Sequence, residues 1–186
     1  MTYLVVSSLA DLAATVEKHG ARDVLTIINV GTPVERPASI AEDRHLYIGV
    51  NDIVEATEGM ILPGAEHLDR LLEFGRRWDR ETPLAIHCFA GISRSTASAY
   101  ILAIAINPDL DERELAKELR RRAPTATPNA RLIALADEKL GRGGRMVEAI
   151  RSIGRGAEAF AGTPFVLPLT LDEAEKARMP EVKPAP

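Results

Sequence analysis

The sequence predicts an α/β fold: a central, mostly parallel, twisted sheet of about four to five strands flanked by helices. Short runs rich in aliphatic and β-branched residues, typical of buried strands, recur along the first half of the chain. Segments with apolar residues at helical spacing lie between and after these runs. Strands that alternate with helices favour parallel pairing, with helices covering the faces of the sheet.

Short, mostly apolar runs mark the predicted strands. They cover Thr2–Ser7, Asp23–Val30, His45–Val50 and Pro83–Cys88. Each is expected to be buried, because it is an apolar run of strand length bounded by turn residues. Near the C-terminus, the apolar stretch Gly162–Leu169 is interpreted either as a further strand or as an extended arm.

Apolar residues at intervals of three and four predict the helices. The first helix ends at Gly20, and the next long helix begins at Pro63. A turn or short helix is expected over Ile53–Ala56, and the basic run Arg120–Arg122 is expected on a solvated helix face. The later predicted helices cover Ser95–Ile106, Asp111–Arg122, Pro128–Leu140 and Met146–Ala157.

The length and composition suit a chain with one substantial core. Of the 186 residues, 46% are hydrophobic and 27% are charged, which is ordinary for a globular protein. We predict a domain over residues 1–141 and a helical or extended C-terminal extension over residues 142–186 that packs on or beyond it. The net charge of -4 argues against broad nucleic-acid binding and against binding to an anionic membrane surface.

The chain contains a single cysteine, Cys88, which excludes an internal disulfide and a zinc site built from several thiolates. A lone reduced thiol fits the cytoplasm. The first residues lack the basic lead of a signal peptide, and no apolar run is long enough to span a bilayer. We therefore expect a cytoplasmic protein with no membrane partner and no nucleic-acid partner.

The stretch HCFAGISRS, His87–Ser95, joins the fourth predicted strand to a buried helix. A strand–loop–helix turn of this kind points several backbone N–H groups into one concavity, at the positive end of the helix dipole. An anion is expected there, with the Arg94 guanidinium as a clamp for phosphate oxygens. Between Cys88 and Arg94 lie Phe89, Ala90, Gly91, Ile92 and Ser93, with no acidic group among them.

The same field stabilises a thiolate at Cys88, and the Ser95 hydroxyl can donate a hydrogen bond to the sulfur. The predicted chemistry is attack of this thiolate on phosphorus and then hydrolysis of the cysteinyl-phosphate, with the backbone amides of Phe89–Arg94 holding the oxygens. The alternative interpretation is that Cys88 is a small buried hydrophobe at a strand end. His87 is expected to support the loop through its carbonyl groups rather than to act as a base.

His-Cys-x5-Arg-Ser resembles the signature loop of the protein tyrosine phosphatase superfamily, and HCFAGISRS is most similar to its dual-specificity branch. HLYIGVND, residues 45–52, resembles the strand that leads to the acid loop of that branch. RRRAPTATPNARLIALADEKL, residues 120–140, resembles its later helices and the turn between them. The resemblance covers roughly Thr2–Leu140 and implies a Cys-based phosphatase domain that needs no metal or other cofactor.

The leaving group of a phosphate monoester needs a proton, so a carboxylic acid is expected on a separate loop that faces Cys88. Asp52 is the leading candidate, because it follows the third predicted strand at the edge of the sheet where the Cys88 loop also emerges. The resemblance implies the general acid at this position too. The alternative is that Asp52, with Glu55, only caps a short helix.

The predicted function is hydrolysis of phosphate monoesters by an enzyme of the dual-specificity type, acting on phosphotyrosine and on phosphoserine or phosphothreonine. The partner is then a phosphorylated protein or a small-molecule phosphate. Two other functions stay open: a phosphate-binding module with little turnover, and a sulfur-transfer or arsenate-reducing enzyme that uses the same loop. The last of these would not need Asp52, and a reductase usually needs a second cysteine.

Overall fold

The computed structural model describes residues 2–171, which form a five-stranded sheet with the strand order β3-β2-β4-β1-β5. The first four strands run parallel to their neighbours, and β5 is antiparallel to β1. The predicted α/β fold with a mostly parallel sheet is therefore confirmed. The strands are β1 (Tyr3–Ser7), β2 (Asp23–Ile28), β3 (His45–Gly49), β4 (Leu84–His87) and β5 (Phe165–Pro168).

Six α-helices flank the sheet in the described part of the chain. Gly20 ends the first helix in a left-handed conformation, with a φ of 61°, and the side chains of Asp111 and Asn129 cap two later helices. Within residues 2–171, no helix is both long and apolar enough to cross a bilayer. The helices are α1 (Leu12–His19), α2 (Ala65–Arg77), α3 (Arg94–Ile106), α4 (Glu112–Arg122), α5 (Ala130–Lys139) and α6 (Arg145–Ser152).

Both faces of the sheet are covered by helices, so the central strands β2 and β4 are buried along their whole length. On one face, α1 packs through Leu12 and Val16 into a small apolar cluster. On the other face, α3 is buried on nearly every side within a larger core. Gly75 of α2 allows close approach to α3, because a Cβ at that position would lie 2.5 Å from Leu102 Cδ2.

After β3, residues 51–64 form a loop, so of the turn and the short helix that were the two expectations for Ile53–Ala56, the helix is absent. Asn51 closes this loop on itself: its N–H donates to the carbonyl of Ile61 at 2.8 Å, and its Oδ1 accepts from the Ile61 N–H at 2.8 Å. The carboxylate of Asp52 accepts hydrogen bonds from distant residues instead of capping a helix. The interpretation of Asp52 as only a helix cap is therefore wrong.

The residues after α5 join the same sheet and core. β5 pairs with β1, placing Leu167 opposite Leu4, so Gly162–Leu169 contains a strand rather than a free arm. Met146 of α6 is fully buried in the larger core. Residues 172–186 of the predicted extension lie outside the described residues.

Candidate active site

The predicted anion-binding loop lies at the carboxyl edge of the sheet. β4 ends at His87 and α3 begins at Arg94, so the connecting loop is Cys88–Ser93. Asn29 follows the end of β2 and Asp52 follows the end of β3 at the same edge. Parallel strands bring these ends together, which is why residues far apart in the chain meet here.

The carbonyl groups of the loop are turned outward and bound by other segments. The Phe89 carbonyl accepts from Leu9 N at 3.0 Å, and the Ala90 carbonyl accepts from Gly162 N at 2.8 Å. Two more loop carbonyls accept from the turn before α5. These bonds join Ile92 O to Thr127 N at 2.9 Å and Ser93 O to Asn129 N at 3.3 Å.

Because these loop carbonyls point outward, the amide N–H groups that follow them point into the loop. No peptide bond in the described chain is cis, and in a trans peptide the N–H points opposite to the preceding carbonyl. The N–H groups that follow the four bound carbonyls therefore face the inside of the loop. The Gly91 N–H shows this directly, because it lies 3.3 Å from Cys88 Sγ. The inside of the loop lies at the N-terminus of α3, so it has the electrostatics of an anion site.

Glycine is required at position 91. Gly91 has a φ of 71°, which side chains other than glycine rarely adopt. A Cβ at this position would also lie 2.8 Å from backbone atoms of Ser7 and Ser8. The loop can therefore pack tightly against the end of β1 only with glycine at its middle.

The sulfur of Cys88 faces polar donors. The residue is only 2% exposed, and Sγ lies 3.2 Å from Ser95 Oγ and 3.3 Å from the Gly91 N–H. Both groups can donate to a thiolate, which is a stronger acceptor than a thiol. Cys88 is thus buried, as the alternative interpretation expected, but its sulfur has two donors that a purely apolar packing role would not require.

Arg94 reaches across the loop and ties it to the ends of two strands. Its Nη1 donates to Asn29 Oδ1 at 2.6 Å and to the carbonyl of Val50 at 2.7 Å. The side chain is 5% exposed, and Nε is buried with no hydrogen-bond partner in the described structure. A buried donor without a partner is unfavourable by about 1–3 kcal/mol, so an anion in the loop would stabilise this guanidinium.

Asp52 lies at the rim of the same loop. Its Oδ1 accepts from Ser93 Oγ at 2.7 Å and from Asn129 Nδ2 at 2.8 Å. The Asn129 Oδ1 meanwhile caps α5 by accepting from the amides of Arg131 and Leu132. One asparagine therefore holds the carboxylate and starts a helix at the same time.

The ring of His87 lies under the loop and is fully buried. Nδ1 is 3.1 Å from the Cys88 carbonyl oxygen, and because a carbonyl can only accept, Nδ1 carries the proton. Nε2 then accepts from Thr26 Oγ1 at 2.6 Å, and Thr26 Oγ1 accepts from His45 Nε2 at 2.7 Å. Burial lowers the pKa of His87 to about 4, so the ring is neutral and supports the loop by donating to it.

We expect acid to destabilise the protein through His87. Its pKa is about 4 when folded against 6.5 for the free side chain, so only the unfolded chain binds this proton between those values. The contribution of His87 therefore leaves the free energy of unfolding unreduced above about pH 6.5. It lowers that free energy by about 3 kcal/mol as the pH drops toward 4. Urea unfolding at about pH 7 and about pH 4.5 measures the change.

The control for this prediction is His87→Asn, which keeps a donor for the Cys88 carbonyl but does not titrate. The variant is expected to be less stable at neutral pH and to lose less stability than the natural protein between the two pH values. An equal loss in both proteins would show that other groups cause the acid sensitivity.

Three polar residues of this site were not predicted as site residues from the sequence. They are Thr26 and Asn29 on or after β2, and Asn129 before α5. Only Asn129 carries a local signal, since an asparagine just before a helical segment is a typical N-cap. Among residues 2–171, no three His, Cys, Asp or Glu side chains come together as metal ligands.

Arg120 differs from the solvated position that was predicted for it. It lies half-buried between two loops, where burial lowers the pKa of its guanidinium. Its neighbours Arg121 and Arg122 pair with the buried carboxylate of Glu118. The Arg120 guanidinium donates to three carbonyl oxygens at 2.8–2.9 Å, those of Pro124, Ala126 and Gly154.

The sequence matches no protein-family model and no curated protein. The fold does match solved structures. Cydia pomonella PTP-2 phosphatase superposes with a TM-score of 0.57 at 19% identity, over 72% of this chain and 83% of that one. DUSP15 superposes with a TM-score of 0.56 at 20% identity, over 78% of this chain and 86% of that one. Human DUSP28 superposes with a TM-score of 0.54 at 16% identity, over 81% of this chain and 93% of that one. The chain therefore has the fold of dual-specificity and tyrosine phosphatases, which confirms the predicted resemblance to that superfamily at the level of the fold.

Proposed function

We propose that this chain hydrolyses phosphate monoesters through a cysteinyl-phosphate intermediate, as a phosphatase of the dual-specificity type. Phosphotyrosine, phosphoserine and phosphothreonine are the candidate substrate groups. The observation that carries the proposal is the surroundings of the Cys88 sulfur. It lies in a loop of inward amides, beside a buried Arg94 whose Nε has no hydrogen-bond partner in the described residues.

On this proposal, the phosphoryl group of the substrate binds inside the loop, next to Cys88. The backbone amides of Phe89–Arg94 and the guanidinium of Arg94 bind its oxygens. These donors are fixed before the substrate arrives, because other segments hold the loop carbonyls. Fixed donors stabilise charge that develops on the phosphoryl oxygens without reorganising during the reaction.

In the first step, the Cys88 thiolate attacks phosphorus, so an S–P bond forms and the ester P–O bond breaks. Asp52 transfers its proton to the leaving oxygen. In the second step, the Asp52 carboxylate takes a proton from water, which attacks phosphorus and breaks the S–P bond. Inorganic phosphate leaves, and Ser95 Oγ, 3.2 Å from the sulfur, stabilises the returning thiolate.

Trapping the intermediate tests this function. The protein is mixed with an aryl phosphate, quenched in acid within milliseconds and digested for mass spectrometry. We expect a phosphoryl group on the peptide that contains Cys88. Turnover of the aryl phosphate without that adduct, or with the phosphoryl group on another residue, would contradict the covalent mechanism.

The role of Asp52 is tested by Asp52→Asn. Asparagine can still accept from Ser93 and Asn129 through Oδ1, so the loop should stay in place. We expect turnover of an alkyl phosphate to fall by about 10²-fold or more, because its alkoxide leaves poorly without a proton. Turnover of a nitrophenyl phosphate should fall by less than about 10-fold, since that phenolate leaves readily. Equal losses on both substrates would argue against an acid.

A further inference from the structure

Two cavities flank the Cys88–Ser93 loop, one at each of its halves. The larger has a volume of about 650 Å³ and is lined by Ile92 and Ser93 on the loop side, next to Asp52. The smaller has a volume of about 240 Å³ and is lined by Phe89 and Ala90. Each cavity therefore borders one half of the loop that would hold the phosphoryl group.

A single segment forms a wall of both cavities. Residues Arg155–Ala159 line the larger one, and Phe160 with Ala161 lines the smaller one. This segment follows α6 and lies outside the part of the chain that resembles the phosphatase family. It follows the outside of the loop from one cavity to the other.

The segment is held firmly at both ends. Gly156 N donates to Thr127 Oγ1 at 3.1 Å, and Ala157 N donates to the carbonyl of Pro124 at 2.9 Å. At the other end, Gly162 N donates to the carbonyl of Ala90 at 2.8 Å. A Cβ at position 156 would lie 2.4 Å from the Thr125 backbone, so glycine is needed for this close packing.

The larger cavity has an acidic excess. Its ionisable lining residues are Asp52, Glu55, Glu158 and one basic residue, Arg155. Glu55 and Glu158 are exposed, so their carboxylates are accessible to a ligand. A cationic group is favoured there by charge complementarity, and a second phosphate is disfavoured.

The smaller cavity is apolar and is bordered by exposed aromatic rings. Phe160 is 90% exposed and Phe89 is 54% exposed, and Leu9 also lines this cavity. Exposed apolar side chains gathered beside a site are typical of a surface that binds a partner group. An aliphatic or aromatic side chain would bury them.

Resting on the proposed function, we propose that residues 155–161 form a recognition segment for the residues that flank the phosphorylated residue of a polypeptide substrate. The phosphorylated residue occupies the loop, a neighbouring basic side chain lies in the larger cavity, and an apolar side chain lies against Phe89 and Phe160. A polypeptide fits this arrangement because it extends away from the phosphorylated residue in two directions. A small phosphate ester fills at most one of the two cavities.

The test compares matched phosphotyrosine peptides. In one pair, Lys lies on one side of the phosphotyrosine and Leu on the other, in the two possible orders. The second pair has Glu in place of Lys. We expect kcat/KM for the better Lys peptide to exceed that of its Glu counterpart by about 10-fold at low salt, with a smaller ratio at high salt.

Two variants test the larger and the smaller cavity separately. Glu55→Gln combined with Glu158→Gln should reduce the preference for Lys over Glu by about 5-fold. Phe160→Ala should raise KM by about 5-fold for all four peptides, since each contains Leu, with little change in kcat. Glu81→Gln is the matched control, because Glu81 is exposed and precedes β4, at the opposite edge of the sheet.

Activity on nitrophenyl phosphate shows whether a negative result concerns peptide recognition or the proposed function. If the natural protein hydrolyses it but shows no preference among the peptides, recognition of a polypeptide is wrong while the proposed function stands. A protein inactive on nitrophenyl phosphate contradicts the proposed function. Recognition is then judged by fluorescence anisotropy with the same peptides, where equal binding of the Lys and Glu peptides overturns it.

Discussion

Cys88→Ser is expected to lower kcat for nitrophenyl phosphate by ~10⁴-fold or more, since loss of a covalent nucleophile removes the whole reaction path. Serine keeps a small side chain at the same place and can still contact Ser95. Its hydroxyl is not ionised at neutral pH, however, so it cannot replace a thiolate as the nucleophile. Steady-state hydrolysis and acid-quench trapping are the two measurements.

Phosphate binding is the control that shows whether Cys88→Ser leaves the loop intact. The loop amides and the Arg94 guanidinium do not depend on the sulfur, so phosphate binding should survive and should still raise the thermal unfolding midpoint. A variant that loses both turnover and phosphate binding would show that the substitution disturbed the loop. Substantial turnover by a folded Cys88→Ser variant would contradict the proposed mechanism.

Comparing the natural protein with Cys88→Ser also distinguishes the alternative functions. A phosphate-binding module would bind phosphate but would show no turnover even with Cys88 intact. A sulfur-transfer or arsenate-reducing enzyme would leave aryl phosphates intact and would lose activity on its own substrate in Cys88→Ser. Only a phosphatase is expected to hydrolyse aryl phosphate with the cysteine and to lose that activity with serine.

The sequence predicted the central loop well because its geometry is local. Cys88, Arg94 and Ser95 belong to one strand–loop–helix segment, so a strand end, a glycine and a helix start suffice to bring them together. The buried strands β2 and β4 were equally clear, because a strand covered on both faces reads as a continuous apolar run.

The partners of these residues could not be predicted, because they come from distant parts of the chain. Asn29 meets Arg94 across 65 positions, and Asn129 meets Asp52 across 77. Such contacts follow from the strand order and the packing of α5, which no local pattern encodes. The role of Thr26 between two histidines depends in the same way on the neighbours of β2.

Of the turn and the short helix expected after β3, the helix does not form, for a related reason. Asp52 and Glu55 have the spacing of a capping box, which is a local signal for a helix start. In the folded chain, Asn51 pairs with Ile61, and the Asp52 carboxylate accepts from Ser93 and Asn129 instead. Tertiary hydrogen bonds thus outweighed a local preference at a residue proposed to have a catalytic role.

Arg94→Lys is expected to lower kcat/KM for nitrophenyl phosphate by about 10³-fold, although it keeps the positive charge. The guanidinium uses Nη1 to hold Asn29 and the Val50 carbonyl while Nε stays free for the substrate. A single ammonium cannot contact both strand ends and the phosphoryl oxygens in the same geometry. Phosphate should consequently raise the thermal unfolding midpoint less in the variant.

Asn29→Ala is the matched control for this prediction. It removes one partner of Nη1 but leaves the guanidinium and its Nε in the site, so the loss of kcat/KM should be about 10-fold rather than about 10³-fold. If both variants lost the same activity, the main task of Arg94 would be to join β2 to the loop. Activity of a folded Arg94→Lys variant within a few-fold of the natural protein would mean that a point charge suffices, and the proposed role of the guanidinium as a clamp for the phosphate oxygens would be wrong.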